Sequence, residues 1–177
     1  THWRQENLLP AAKMICEAMG IPDPKAEDFT QRKVERPFYG VYYGQAALPM
    51  EPDAMYLLES DLLKNCTVYD HESGKTLPVY DESKLDSKDL YEIYLSGPRG
   101  LLTITNPAGN PGKELIIFRD SFGSSLIPLL VHGYSTVTVV DIRYISIDFL
   151  SQFIGFHGQD VLLLYSTLVL NSSDTIK

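Results

Sequence analysis

Three short apolar runs near the carboxyl end constrain this chain more than any other feature. Leu115–Phe118, Thr136–Val140 and Val161–Tyr165 are each four or five residues long and rich in aliphatic side chains. Continuous apolar runs of that length are the mark of strands buried on both faces. Between them lie stretches with helical spacing: residues 122–132, with Pro128 as a bend, and residues 148–154, with Phe149, Leu150 and Phe153 on one side. Strand–helix–strand–helix–strand with short connections predicts crossovers and a parallel sheet. In such sheets ligands bind at the carboxyl ends of the strands. Ser121, Arg143 and either Ser166 or Asn171 follow the three runs and fall at that edge.

The chain before residue 114 has a different texture. Leu8, Ala12, Ile15, Cys16 and Met19 recur at helical spacing, so residues 5–20 read as an amphipathic helix closed by Gly20. Pro10 fits only if that helix starts near Asn7 or bends. Residues 21–36 read as a loop with one polar turn, and residues 52–64 as a short helix or a loop leading to a strand. Pro37 to Gly44 carries the aromatics Phe38, Tyr39, Tyr42 and Tyr43 among Gly40 and Gly44. Residues 66–80 read as a β-hairpin turning at 70–75, with Pro78 marking an edge arm. After a solvated stretch at 81–90, Tyr91–Leu95 and Leu101–Thr105 read as two strands around the turn Ser96–Gly100. The expected architecture is one α/β domain over residues 1–177: a flavodoxin-like parallel sheet flanked by helices, with the hairpin as a peripheral insertion.

A chain of 177 residues can bury a sizeable core, and 44% hydrophobic residues exclude wholesale disorder. Twenty-three acidic against fifteen basic residues give a charge of −8, which argues against nucleic acid as a partner. No apolar run reaches the roughly 18 residues of a membrane span. The chain opens at Thr1-His2-Trp3 without a methionine, as a trimmed or processed chain would, so a missing leader is uninformative. Cys16 and Cys66 could pair, but two cysteines make neither a disulfide scaffold nor a metal cluster. Four histidines show no metal spacing, so neither metal nor cofactor is expected.

The chemistry concentrates at Arg119-Asp120-Ser121-Phe122-Gly123, where a strand meets a helix. A serine there is either an N-cap or a nucleophile beside free helix N–H groups able to hold an oxyanion, Gly123 among them. Asp120 is placed to anchor the turn by accepting backbone N–H bonds, or is simply an acid at a helix start. Arg143 could fork onto a carboxylate or a sugar hydroxyl, or pair with Asp141 or Asp120. Asn171 could supply an oxyanion-hole amide after the third strand. His71, His132 and His157 read as structural.

Phe-Arg-Asp-Ser-Phe-Gly-Ser-Ser at 118–125, Val-Val-Asp-Ile-Arg-Tyr at 139–144, and Asp-Val-Leu-Leu-Leu-Tyr-Ser at 160–166 together resemble the DHHW family. That family is related to the SGNH hydrolase-like proteins of the alginate O-acetyltransferase type. Thr1-His2-Trp3 resembles the end of its Asp-x-His-Trp signature, and the Gly40–Gly44 block is also similar. Residues 50–100 match only loosely.

The resemblance implies a serine esterase or O-acetyltransferase acting on a carbohydrate or polysaccharide acyl ester, in an extracytoplasmic or envelope setting. Ser121 would be the nucleophile and His2 the general base, with the orienting acid two positions before His2, outside this chain. Arg119 departs from the glycine usual at that position. Tyr39, Tyr42 and Tyr43 would offer stacking faces to a sugar ring. The competing classes are a carbohydrate-binding or envelope-assembly protein that keeps the fold without catalysis, and a flavodoxin-like domain whose loop after 115–118 binds phosphate. An aspartate two before His2 favours the enzyme.

Overall fold

The computed structural model describes residues 2–40, 42–43 and 49–172. Thr1, and Val41 and Gly44 of the aromatic block, lie outside the described residues. Among the described residues there are eight strands: β1 (Thr30–Lys33), β2 (Tyr56–Glu59), β3 (Thr67–Asp70), β4 (Lys75–Leu77), β5 (Leu101–Thr105), β6 (Glu114–Arg119), β7 (Thr136–Val140) and β8 (Asp160–Leu164). β1 and β2 form a small antiparallel ladder, and the other six form one sheet in the order β4-β3-β5-β7-β6-β8.

The three apolar runs share that sheet as expected. β6 lies between β7 and β8 and is parallel to both, with Ile117 opposite Val139 on one side and Leu162 on the other. The sheet as a whole is mixed, which corrects the expectation of a parallel one. β5 runs antiparallel to β7, and β3 antiparallel to β5. The hairpin lies at the periphery as expected, with β4 at the edge, but it is continuous with the main sheet. β5 covers the side of β7 that would otherwise present unpaired backbone donors and acceptors, and β3 covers β5 in turn, which leaves β4 as the edge.

Side chains alternate between two covered faces along the central strands, with the two-residue period of a pleated sheet. Leu102, Ile104, Leu115, Ile117, Val137 and Val139 pack on one face with Ala12 and Cys16 of helix Leu9–Met19 and with helix Gly123–Leu130. Leu101, Ile116 and Val140 face the other way, against Leu150 and Ile154. Cys16 and Cys66 are both buried and unbonded.

Other expectations need correction. Tyr91–Leu95 is not a strand. Residues Leu90–Ile93 form a 3-10 helix whose first turn is capped by the Asp89 carboxylate, and Leu95 and Ser96 have positive φ of 54° and 60°. The helix expected at 148–154 is confined to Ile147–Leu150. The stretch 21–36, read as a loop, contains β1, while the loop leading to a strand and the short helix that were the alternatives for 52–64 are both present, as β2 and a helix at Asp61–Asn65. The amino-terminal helix begins as a 3-10 turn at Gln5–Asn7, carries Pro10 in the first turn of Leu9–Met19, and ends at Gly20 with φ 66°.

Candidate active site

β6 delivers Arg119, Asp120 and Ser121 to the carboxyl edge of the parallel strands. The Asp120 carboxylate is buried and accepts two backbone N–H bonds, from Phe122 at 2.9 Å and from Ser166 at 2.7 Å. It thus ties the turn after β6 to the turn after β8, which is the anchoring role expected of it. Helix Gly123–Leu130 starts after Phe122 with no side-chain cap, so Ser121 is not an N-cap. Its Oγ instead lies 3.1 Å from Nε2 of His2, within hydrogen-bonding distance.

His2 is held from several directions. Its ring stacks on Tyr91 with centroids 3.9 Å apart and planes 9° from parallel, and it meets Phe122 at 5.7 Å. Trp3 packs edge-on against the same Phe122. Three residues on, buried Gln5 fastens the segment to the body of the protein. Its Nε2 donates to Ser125 O and Tyr80 Oη, and its Oε1 accepts from Leu58 N–H, all at 2.8–3.0 Å. Burial holds the His2 pKa below its ordinary 6.5, against the opposing pull of Asp89 and Asp120. The imidazole is therefore neutral at pH 7 and able to accept a proton. His2 Nδ1 is buried and has no hydrogen-bond partner among the described residues.

His2, Asp120 and Ser121 open into a cleft of about 370 Å³, which Asp89, Tyr91, Glu92, Arg119, Arg143, Tyr144 and Ser166 also line. Arg143 makes the expected ion pair with Asp141 and also lines the cleft. It forks onto Asp141 through Nε and Nη2 at 2.9 and 2.7 Å, and it still reaches the cleft, with Tyr144 beside its guanidinium. The Asp141 hydrogen bonds push its pKa up.

Arg119 is fully buried. Its Nη1 donates to Ser124 Oγ at 3.1 Å and lies 3.6 Å from Asp141, while Nε and Nη2 find no partner among the described residues. Burial lowers its pKa, against the pull of Asp141. The stem of Arg119 also explains Gly123: a Cβ added there would sit 2.9 Å from Arg119 Cβ.

Not every expected residue reaches the cleft. The Gly123 N–H is engaged by Asp120 O at 3.1 Å and is not free for an oxyanion. Asn171 is exposed at the far end of helix Thr167–Asn171, beyond Ser166, Leu168 and Val169, which line the cleft. Tyr43 is exposed and packs on Tyr39 at 4.4 Å, outside the cleft lining. His71, His132 and His157 also lie outside it. Asp89, Tyr91 and Gln5 were missed. Asp89 had a signal, an aspartate two before a buried aromatic at a helix start; Gln5 had none.

The arrangement offers a hydroxyl within reach of a neutral imidazole at the mouth of a cleft. It also offers the Ser121 N–H, which no group among the described residues engages, next to a helix start. A serine activated by a base beside a free N–H is equipped for acyl transfer.

No protein-family profile matches the chain, and no curated protein does. Solved structures do. A DHHW family protein from Eubacterium siraeum superposes with TM-score 0.71 at 22% identity, over 95% of this chain and 57% of that one. Bacillus cereus PatB1 superposes with TM-score 0.68 at 15% identity, over 96% and 61%. The same protein with a sulfonyl adduct gives 0.67 at 15%, over 96% and 59%. These likenesses concern the fold. The chain spans roughly three fifths of the length of each structure it matches.

Proposed function

We propose that this chain is a DHHW-type, SGNH-like domain that transfers or hydrolyses O-acyl groups on carbohydrate through Ser121, with His2 as general base. The single observation that carries the reading is the 3.1 Å approach of His2 Nε2 to Ser121 Oγ. The fold likeness to a DHHW family protein supports it, as does the likeness to PatB1, one of whose structures holds a sulfonyl adduct. Sulfonyl electrophiles are captured by activated nucleophiles, which is the property ascribed here to Ser121.

In the forward step Ser121 Oγ bonds to the ester carbonyl carbon while its proton passes to His2 Nε2. The oxyanion rests against the Ser121 N–H. Collapse expels the donor alkoxide, which takes the proton from Nε2 and leaves an acyl-serine. A sugar hydroxyl or water then attacks that acyl group, gives its proton to His2, and Ser121 leaves with the same proton restored. Arg143 is placed to hydrogen-bond sugar hydroxyls. A carboxylate two positions before His2 in the longer protein would meet the unpartnered Nδ1 and fix the tautomer. An extracytoplasmic, envelope location goes with this reading.

The test is phenylmethanesulfonyl fluoride labelling followed by peptide mass spectrometry, alongside turnover of p-nitrophenyl acetate with and without a glycan acceptor. The wild type should label at Ser121 and release nitrophenol, and Ser121→Ala should do neither. A wild type that neither labels nor turns over ester, yet binds glycans, would replace this reading with the non-catalytic carbohydrate-binding one.

A further inference from the structure

We propose that Tyr91 and Asp89 are positioning residues for the base: Tyr91 is a rigid platform that sets the His2–Ser121 separation, and Asp89 steadies the imidazolium that forms when His2 takes the serine proton. The inference rests on reading that pair as an acyl-transfer site, and it adds a device on the segment that least resembles the DHHW family.

Tyr91 is fixed at both ends. Its backbone N–H donates to Asp89 Oδ1 at 3.0 Å, and its hydroxyl donates to Ser125 Oγ at 2.7 Å. Ser125 sits in the helix that begins two residues after Ser121. The ring between these anchors is buried and lies flat under the imidazole. The nucleophile's helix therefore holds the tyrosine, and the tyrosine holds the base. A side chain with so few free rotations keeps the two reacting atoms in register, which is where proximity gains arise.

The same geometry favours the charged intermediate. Once His2 is protonated, a cation lies over the Tyr91 π face, an attractive arrangement that strengthens when water is excluded. Asp89 lines the same cleft as His2, and its backbone cap engages Oδ1. Among the charged side chains around the imidazole, Asp89 and Asp120 favour the charged form, and Arg143 opposes it. The stabilisation falls on the state formed during reaction, which is the state that must be favoured for rate.

The experiment uses histidine-labelled protein and reads the His2 ring resonances through a pH titration, with the sulfonylation rate of Ser121 measured in parallel. In the wild type the ring protons of His2 should be displaced upfield by the stacked tyrosine. Tyr91→Phe should keep that displacement and lose at most a few-fold in rate. Tyr91→Leu should abolish it and lose roughly ten- to thirty-fold in rate. Asp89→Asn should keep the displacement but move both the His2 titration and the acidic limb of the rate profile to lower pH. Should Tyr91→Leu fail to fold, Asp89→Asn and Tyr91→Phe still decide the matter. Wild-type resonances and rate in Tyr91→Leu, or an unmoved titration in Asp89→Asn, would overturn the proposal. Because the resonances need no turnover, an upfield-shifted but unreactive wild type would reject the acyl-transfer reading while leaving the positioning geometry standing.

Discussion

His2 Nε2 and Ser121 Oγ lie 3.1 Å apart although 119 positions separate them in the chain. No strand pairing or helix turn makes that contact. It depends on Asp120 bracing the serine turn, on Tyr91 beneath the imidazole, and on Gln5, which pins the segment carrying His2. Each brace comes from a different part of the chain, so each can be removed separately.

Gln5→Ala should loosen the base without touching it. The substitution strips partners from Leu58 N–H and Ser125 O, both on buried hydrogen bonds. Leaving a buried polar group unsatisfied costs about 1–3 kcal/mol. Thermal denaturation should show that loss, and Ser121 sulfonylation should slow as well. A variant as stable and as reactive as the wild type would mean that the amino-terminal segment docks without this residue.

Ser121→Ala and His2→Ala should each abolish most ester turnover, and the double variant should be no worse than either alone. Residues that act as a unit are strongly non-additive, and single losses in a serine–histidine pair run to about 10³-fold or more. Losses that multiply in the double variant would show that the two side chains act independently, against the shared proton described above.

Burial lowers the pKa of His2, His71 and His132 below 6.5. Within the window between the folded value and 6.5 the unfolded chain binds more protons than the native one, so stability rises with pH across it. Acidification from pH 7 should therefore weaken the fold progressively once the pH passes below 6.5. The acidic limb of Ser121 reactivity should also have its midpoint below 6.5, because only neutral His2 accepts the proton. Urea midpoints and sulfonylation rates collected at several pH values check both; a reactivity midpoint above 6.5 would contradict the burial of the base.

β6 and β7 were legible because interior strands covered on both faces appear as unbroken apolar runs such as Leu115–Phe118; β8 was found by the same signal, but it is an edge strand whose Val161 and Leu163 are exposed, which corrects the expectation that its run is buried on both faces. That β5 pairs with the other side of β7, and the hairpin with β5, was not legible, since the edge a strand joins is decided by tertiary pairing rather than by its own residues. Tyr91–Leu95 misled for a related reason. Aromatic and branched side chains suit any buried surface, and the Asp89 cap together with the positive φ at Leu95 and Ser96 turned them into a 3-10 helix. Ser121, His2, Asp120 and Arg143 were found from strand ends and from the family resemblance, and the structure brings all four to one cleft. Asn171 was misplaced because it falls at the far end of the short helix after Ser166, beyond the residues that line the cleft. Gln5 left no trace, as a buried amide on a short turn has no periodic signature.

Asp141 serves two arginines, and the imbalance between them makes a final prediction. It is fully buried, bonds Arg143 through both oxygens at 2.7–2.9 Å, and lies 3.6 Å from Arg119. Asp141→Ala would leave the wholly buried Arg119 without its counter-charge and free the Arg143 fork. Breaking a buried pair from one side costs about 3–5 kcal/mol. Arg119→Met fills a similar space and leaves Asp141 still paired to Arg143, so it should cost distinctly less. It also removes a guanidinium whose Nε and Nη2 have no partner among the described residues. What Arg119→Met does lose is the bond to Ser124 Oγ at the start of the helix behind the serine, so Ser121 reactivity should drop a few-fold even where stability is kept. Urea denaturation of the two variants, with sulfonylation rates beside it, separates these effects. Equal destabilisation would mean that Arg119, not Arg143, is the principal partner of Asp141, and an unchanged rate in Arg119→Met would mean that the serine turn is held by Asp120 alone.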